Sequence, residues 1–389
     1  MSPETDSGPL TGLRVVEIAG RGPGPFAGML LADMGAEVLR VDRPNPPARP
    51  QAPDHRLELY NRGRRSVIVD LKHEQGAEIV LRLVEQADAI YEGYRPGIAE
   101  RLGIGPEACL HRNPRIVYGR GTGWGQTGPL AHTAGHDINY IALAGALDPI
   151  GRAGGPPTIP LNLIGDYAGG GMMLAFGIVC AMLEARTSGH GQVVDAAMVD
   201  GASLLMALFH GRRMMGTWND ERGTNYVDSG APFYNVYETK DHRYIAIGAI
   251  EPKFQQALFD AIGVNLDGIT VPVSAVDRTD WPELGRRLET VFATRTRDEW
   301  TALLADVDGC YSPVLGLGEV ADHPHHKARN DFPLLGGIPQ PAPAPRFGRT
   351  RPTLRTGPPA PGEHTQEALA DWGFGAEDLR RLQHARAIR

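Results

Sequence analysis

The sequence predicts an α/β fold: a parallel sheet flanked by helices, joined to a smaller α+β unit. Three observations carry this. Apolar, branched runs of strand length alternate with helical runs through the first half of the chain. The pattern changes near Asn225. A length of 389 residues exceeds what one compact core holds, so two domains are expected.

The elements follow in order. "LRVVEIA" (13–19) and "AEVLRVD" (36–42) read as strands, and "FAGMLLADMGA" between them reads as a helix closing at Gly35, with Pro25 at its start. "SVIVDL" (66–71), a helix in "GAEIVLRLVEQA" (76–87) and "IVYG" (116–119) continue the alternation. A long apolar helix runs from Asp166 toward Arg186 and stops at "TSGHG". Its uncharged stretch, 167–183, falls just short of a bilayer span and is rich in glycine, which predicts burial. The expected division is 1–190 as the large domain, 191–226 as a helical linker and 227–311 as the small α+β domain. Residues 312–329 are then a return linker, and 330–389 complete the large domain through a Pro-rich connector at 332–352.

Composition excludes several classes. Hydrophobic residues make up 42% and charged residues 22%, as in ordinary globular chains, and a net charge of −7 argues against nucleic-acid or anionic-membrane partners. Cys109, Cys180 and Cys310 are odd in number and widely spaced, which predicts a reducing, cytoplasmic setting rather than a disulfide framework. "MSPETDSGPL" lacks the basic start and apolar core of a signal peptide.

Several motifs bear on chemistry. Gly22-x-Gly24-x-x-Ala27, with Asp42 ending the next strand, superficially meets a dinucleotide fingerprint. Pro23 and Pro25, however, remove N–H groups that a pyrophosphate needs, and no nicotinamide chemistry follows downstream. Arg43, Arg62, Arg64, Arg65, Arg95 and Arg101 gather early; each alone reads as a solvated surface charge, but as a set they suit a ligand with several phosphates. Asp166 reads as a helix N-cap. The glycines after it, 169–171, weaken the helix by about 1 kcal/mol each, which implies that something approaches that turn closely. His136, beside Asp137 with Asn139 and Tyr140 near, reads either as a bonded core histidine or as an oriented base. "DHPHH" (322–326) has a proline that breaks ligand spacing, so no metal is expected there. The many methionines are core residues by default, or an adaptable surface for an acyl chain.

"PLTGLRVVEIAGRGPGPFAGMLLADMGAEVLRVDRP", "NRGRRSVIVDLK", "EGYRPGIAERLG", "TGWGQTGP", "GHDINY", "NLIGDYAGGG" and "GQVVDAAMVDG" occur in that order. Together they resemble the family III CoA-transferase superfamily and, by His136 and Glu251, its racemase branch. The resemblance implies a Rossmann-like large domain and a small α+β domain in an interlocked homodimer. It also implies inversion of 2-methylacyl-CoA thioesters by His136 and Asp166 on opposite faces of the α-carbon. Glu251 would bond the histidine, supported by Asp137, Tyr140, Asn162 and Tyr234. Arg43 and Arg101 would hold CoA phosphates, with Arg62, Arg64 and Arg65 near the nucleotide end. The acyl-CoA thioester is the only partner besides the second chain, and no cofactor is implied, CoA being part of the substrate. Two readings compete: a CoA-transferase in which Asp166 is a covalent nucleophile, and a non-catalytic acyl-CoA binder.

Overall fold

A computed structural model describes residues 8–44 and 54–389. By contact clustering the chain forms two units: one takes it up to Ala144 with Leu161–Leu205 and Pro324–Arg389, the other takes Gly145–Pro160 and Met206–His323.

The first unit is a six-stranded parallel sheet. Its strands are β1 (Arg14–Ile18), β2 (Glu37–Asp42), β3 (Arg64–Ile68), β4 (Ala89–Glu92), β5 (Val117–Thr122) and β6 (Val193–Ala197), in the order β3-β2-β1-β4-β5-β6. Period-two alternation divides the strand residues between two cores. Val16, Leu39, Val67 and Ile90 join the cluster covered by α2 (Gly76–Val84), α13 (Thr365–Asp371) and α14 (Ala376–His384). Val15, Val38, Ala89 and Val117 join the cluster under α1 (Pro23–Asp33) and α6 (Met173–Ser188).

The helix Leu163–Ser188 is long and apolar enough to cross a membrane by length and composition, but half of it is buried in the protein. Leu174 and Ile178 are fully buried beside Val15 and Val117, so it serves as a core helix of the α/β unit. Its first turns, Leu163–Met172, are a π-helix that passes into α6. The sequence places 191–226 in a helical linker, yet β6 is the sixth strand and α7 (Met198–Leu205) packs on the π segment. As an edge strand with Val193 exposed and Asp195 central, β6 lacks the apolar run that marks the inner strands.

In the second unit, β7 (Tyr234–Glu238), β8 (Tyr244–Gly248) and β9 (Tyr311–Pro313) form an antiparallel sheet. Phe233, Ile245 and Ile247 pack with Phe259 of α9 (Pro252–Ile262), Leu284 and Phe292 of α10 (Trp281–Phe292), and Trp300 of α11 (Arg297–Leu303).

Candidate functional site

In a doubly wound sheet, ligands bind outside the carboxyl ends of the strands where the order reverses, here between β1 and β4. The segments leaving those ends carry the loop 19–22 after β1, Arg43 after β2, Arg95 and Arg101 after β4, and Trp124 after β5.

Asp166 lies four residues into the π segment rather than at a cap, which corrects the N-cap expectation. Its backbone N–H donates to Asp137 Oδ2 at 2.7 Å, and its Oδ2 accepts from Asn162 Nδ2 at 3.0 Å. Gly22, at φ +65°, backs the carboxyl: a Cβ there would lie 3.3–3.5 Å from all three carboxyl atoms. Asp137, at the start of α5 (Asp137–Leu143), is buried, and Gly165 leaves room for it, since a Cβ at 165 would sit 2.6 Å from Asp137 Oδ2. The other oxygen, Oδ1, is buried without a hydrogen-bond partner.

His136 precedes α5 with its side chain exposed, and Asn139 Oδ1 accepts its backbone N–H at 3.0 Å. Tyr140 is buried, donates to the Gly135 carbonyl at 2.5 Å and meets Trp124 edge-on at 4.8 Å. Burial raises the Asp166 pKa above its ordinary value; the Asn162 amide pulls it down, the Asp137 charge pushes it up and His136 pulls it down. His136, Asp137, Tyr140, Asn162 and Asp166 thus come together. The Asp166 N–H is engaged by Asp137 and is not free to serve an oxyanion.

The three glycines after Asp166 do admit a close approach, as the sequence implies. A Cβ at Gly169 would lie 2.7 Å from Ala202 N, one at Gly170 2.7 Å from Met198 Cγ, and one at Gly171 2.8 Å from the Pro23 carbonyl. What approaches closely is the protein's own α7 and α1, not a ligand.

The arginines divide. Arg43, Arg95 and Arg101 are exposed, and among the described residues no carboxylate pairs with them. Arg43 lies near enough to Tyr94, and Arg95 to Tyr140, to act on those phenols. Arg62 and Arg64 are held inside the fold instead and Arg65 in ion pairs at its surface, so all three are engaged by carboxylates of this chain, which corrects their placement at the nucleotide. Arg62 is buried in a two-point pair with Asp33 (3.1 and 2.7 Å). Arg64 is buried against Glu17 at 3.1 Å, and Arg65 pairs with Glu37 and with Asp371 at 2.5 Å. They lie on and just before β3 rather than on a loop at the ligand edge, a distinction that a run of like charges does not reveal. Asp42 of the apparent fingerprint is buried too, bonded to Arg40 at 2.8 Å and Ser66 at 2.7 Å. His326 of "DHPHH" faces Asp331 at 2.9 Å, and no metal-holding cluster occurs among the described residues.

Glu251 and Tyr234 belong to the second unit. Glu251 is the exposed N-cap of α9, and Tyr234 opens β7 and is exposed.

Glu92, absent from the sequence expectations, ends β4. It is buried at 2% exposure, accepts the Tyr94 N–H at 2.5 Å and faces Arg120 Nε at 3.7 Å. Burial pushes its pKa up to about 7 against the Tyr94 and Arg120 contributions. The folded state therefore binds a proton between pH 4.5 and 7 that the unfolded chain has released, and stability falls as pH rises through that window. At 1.36 kcal/mol per unit, roughly 3 kcal/mol is lost by pH 8. Glu92→Gln, which mimics the protonated acid, is expected to melt higher than wild type at pH 8 and to match it near pH 4. Parallel melting curves at the two pH values would contradict the assignment.

A doubly wound α/β unit with an acid and an imidazole at its carboxyl edge defines a class of protein. Residues 10–365 match the model of CoA-transferase family III. This chain belongs to that family. It is 42% identical over 382 residues to alpha-methylacyl-CoA racemase of Mus musculus and 40% identical over 382 residues to the Homo sapiens protein of that name, covering 97% of each chain in both cases. It also resembles the crystal structure of a CaiB/BaiF family protein from Brucella suis, with a TM-score of 0.80, 27% identity, and coverage of 94% of this chain and 100% of that one.

Proposed function

We propose that this protein is a racemase that interconverts (R)- and (S)-2-methylacyl-CoA thioesters by 1,1-proton transfer. The observation that carries the reading is the Asp166 carboxyl, half-buried with a raised pKa and within electrostatic reach of His136. Near-full-length likeness to two racemases supports it.

Removing the α-proton of a thioester needs a base on one face, and inversion needs an acid on the other. His136 and Asp166 exchange those roles with direction, so neither has to move. Proton loss places charge on the thioester oxygen as an enolate, and donors at a helix start stabilise such charge. The Asp166 N–H is committed to Asp137, so that donor comes from another of the N–H groups that the first turn of a helix leaves unpaired. Asp137 supports by holding the Asp166 backbone, Asn162 by bonding the carboxylate, and Tyr140 by packing behind both. Glu251 orients the histidine and Tyr234 lines the site in a homodimer, where the second unit of one chain completes the site of the other. The exposed Met172, Phe176 and Leu183 on one long helix support such burial between chains. Arg43 and Arg101, exposed at the carboxyl edge, bind the CoA phosphates. The chemistry requires no metal, flavin or nicotinamide, and the setting is the cytoplasm.

Incubating one enantiomer of a 2-methylacyl-CoA with the enzyme in D2O is expected to give inversion with deuterium at the α-carbon. Transfer of CoA to added carboxylates without deuterium incorporation would replace this reading by the transferase one. Binding with neither reaction would leave an acyl-CoA binder.

A further inference from the structure

We propose that Arg64 is a positioning residue for Asp166, acting through the first turn of α1; the proposal rests on the acid–base reading of Asp166. The Arg64 side chain has no solvent exposure. It joins three parts of the fold: an ion pair with Glu17 near the carboxyl end of β1 at 3.1 Å, a hydrogen bond to Asn61 Oδ1 at 3.2 Å, and donation from Nη2 to the carbonyls of Tyr60 and Pro25. Pro25 is the third residue of α1.

One turn on, Gly28 presses α1 onto this charged group. A Cβ at Gly28 would lie 2.3 Å from Tyr91 Oη, 2.8 Å from Glu17 Oε2 and 3.0 Å from Arg64 Nε. The opposite side of the same turn meets the π segment. A Cβ at Gly171 would sit 2.8 Å from the Pro23 carbonyl, one at Gly170 2.9 Å from Pro23 Cβ, and the Phe26 and Tyr167 rings are 4.9 Å apart. Gly22, the residue before α1, backs the Asp166 carboxyl, which lies 3.3–3.5 Å from where a Cβ would stand.

From the guanidinium to the carboxyl, then, the path runs through backbone and glycine contacts, with few flexible side chains to absorb a shift. Close-packed interiors transmit displacement rather than dissipate it. The planar fork of arginine reaches a carboxylate and two carbonyls at once, which the point charge of lysine does not. Arg62, paired with Asp33 at the far end of α1, is a comparable buried pair without this connection.

Single-turnover reactions in D2O, started from each enantiomer, separate the two bases. Deuterium exchange with retention, from the enantiomer that His136 deprotonates, needs His136 alone, whereas inversion needs Asp166 as well. In Arg64→Lys, inversion is expected to fall on the order of 10²-fold, as a misplacement of about 1 Å does. Exchange with retention and KM should stay near wild type. In Arg62→Lys the ratio of inversion to retention should not change. If lysine unfolds the protein, the double variant Arg64→Met with Glu17→Gln, which strands no charge, repeats the test. From the enantiomer that His136 deprotonates, inversion and retention falling in proportion, or an unchanged ratio in either Arg64 variant, overturns the proposal, as does a salt-sensitive rise in KM, which would return Arg64 to the CoA phosphates. Absence of inversion in the wild type would overturn the racemase reading instead.

Discussion

Asp166→Asn is expected to lower inversion by roughly 10³-fold, within the range that a positioned general base contributes. One enantiomer should keep its α-proton exchange. Asparagine retains the shape of the side chain and the backbone bond to Asp137 but takes no proton, so only the step in which the carboxylate acts is lost. His136→Asn should show the mirror pattern, with exchange surviving from the opposite enantiomer. Deuterium at the α-carbon and the enantiomeric ratio, followed together, check both variants. Equal loss of exchange from both enantiomers in each variant would end the two-base assignment. A hydroxylamine-trapped adduct at Asp166 in wild type would make the residue a nucleophile. The raised pKa adds a pH signature. A carboxyl serving as base is lost as pH falls through its pKa, so turnover in the direction that uses Asp166 as base should decline at a higher pH than an ordinary aspartate would give.

Gly201→Ala should destabilise the first unit by about 3 kcal/mol, the upper part of the usual overpacking range. A Cβ at 201 would lie 1.9 Å from the Gly169 carbonyl oxygen and 2.7 Å from its Cα, so backbone meets backbone with no side chain to swing aside. Against a total stability of about 5–15 kcal/mol, that is a large share. The helix most displaced would be the π segment, so catalytic inversion should fall along with stability. Gly211→Ala, in α8 (Ala207–Met214) with nothing within 4 Å of its Cβ position, is the counterpart. There alanine should stabilise by roughly 0.5–1 kcal/mol through helix propensity and lost chain entropy. Denaturant midpoints of the two variants decide the point: a Gly201→Ala protein as stable as wild type would mean that α7 and the π segment can part at little cost.

The legible parts of the site were those in which residue type and local spacing suffice. His136, Asp137 and Tyr140 are neighbours in sequence, and an acid, an imidazole and a phenol on one helical turn remain together however the helix is placed. Asn162 and Asp166 likewise share one turn. The arginines show the limit. Twelve of them precede residue 102, and whether the guanidinium of one such as Arg43, Arg62, Arg64, Arg65, Arg95 or Arg101 is free or paired with a carboxylate of the same chain depends on partners far away in sequence, such as Asp371 for Arg65. Glu92 is the reverse case, an ordinary acid by sequence whose burial beneath Arg120 makes it titrate near neutrality.

By itself the sequence determined the alternation of strand and helix, because period-two and helical apolar patterns are local properties of the chain. It also determined the residue types at the candidate site. Only the tertiary structure decided what the glycine cluster is for, which arginines are free, and that Asp137 holds the Asp166 backbone. Each of these is a contact between segments separated by tens to hundreds of residues, and the desolvation and close packing that set their energies exist only once those segments meet.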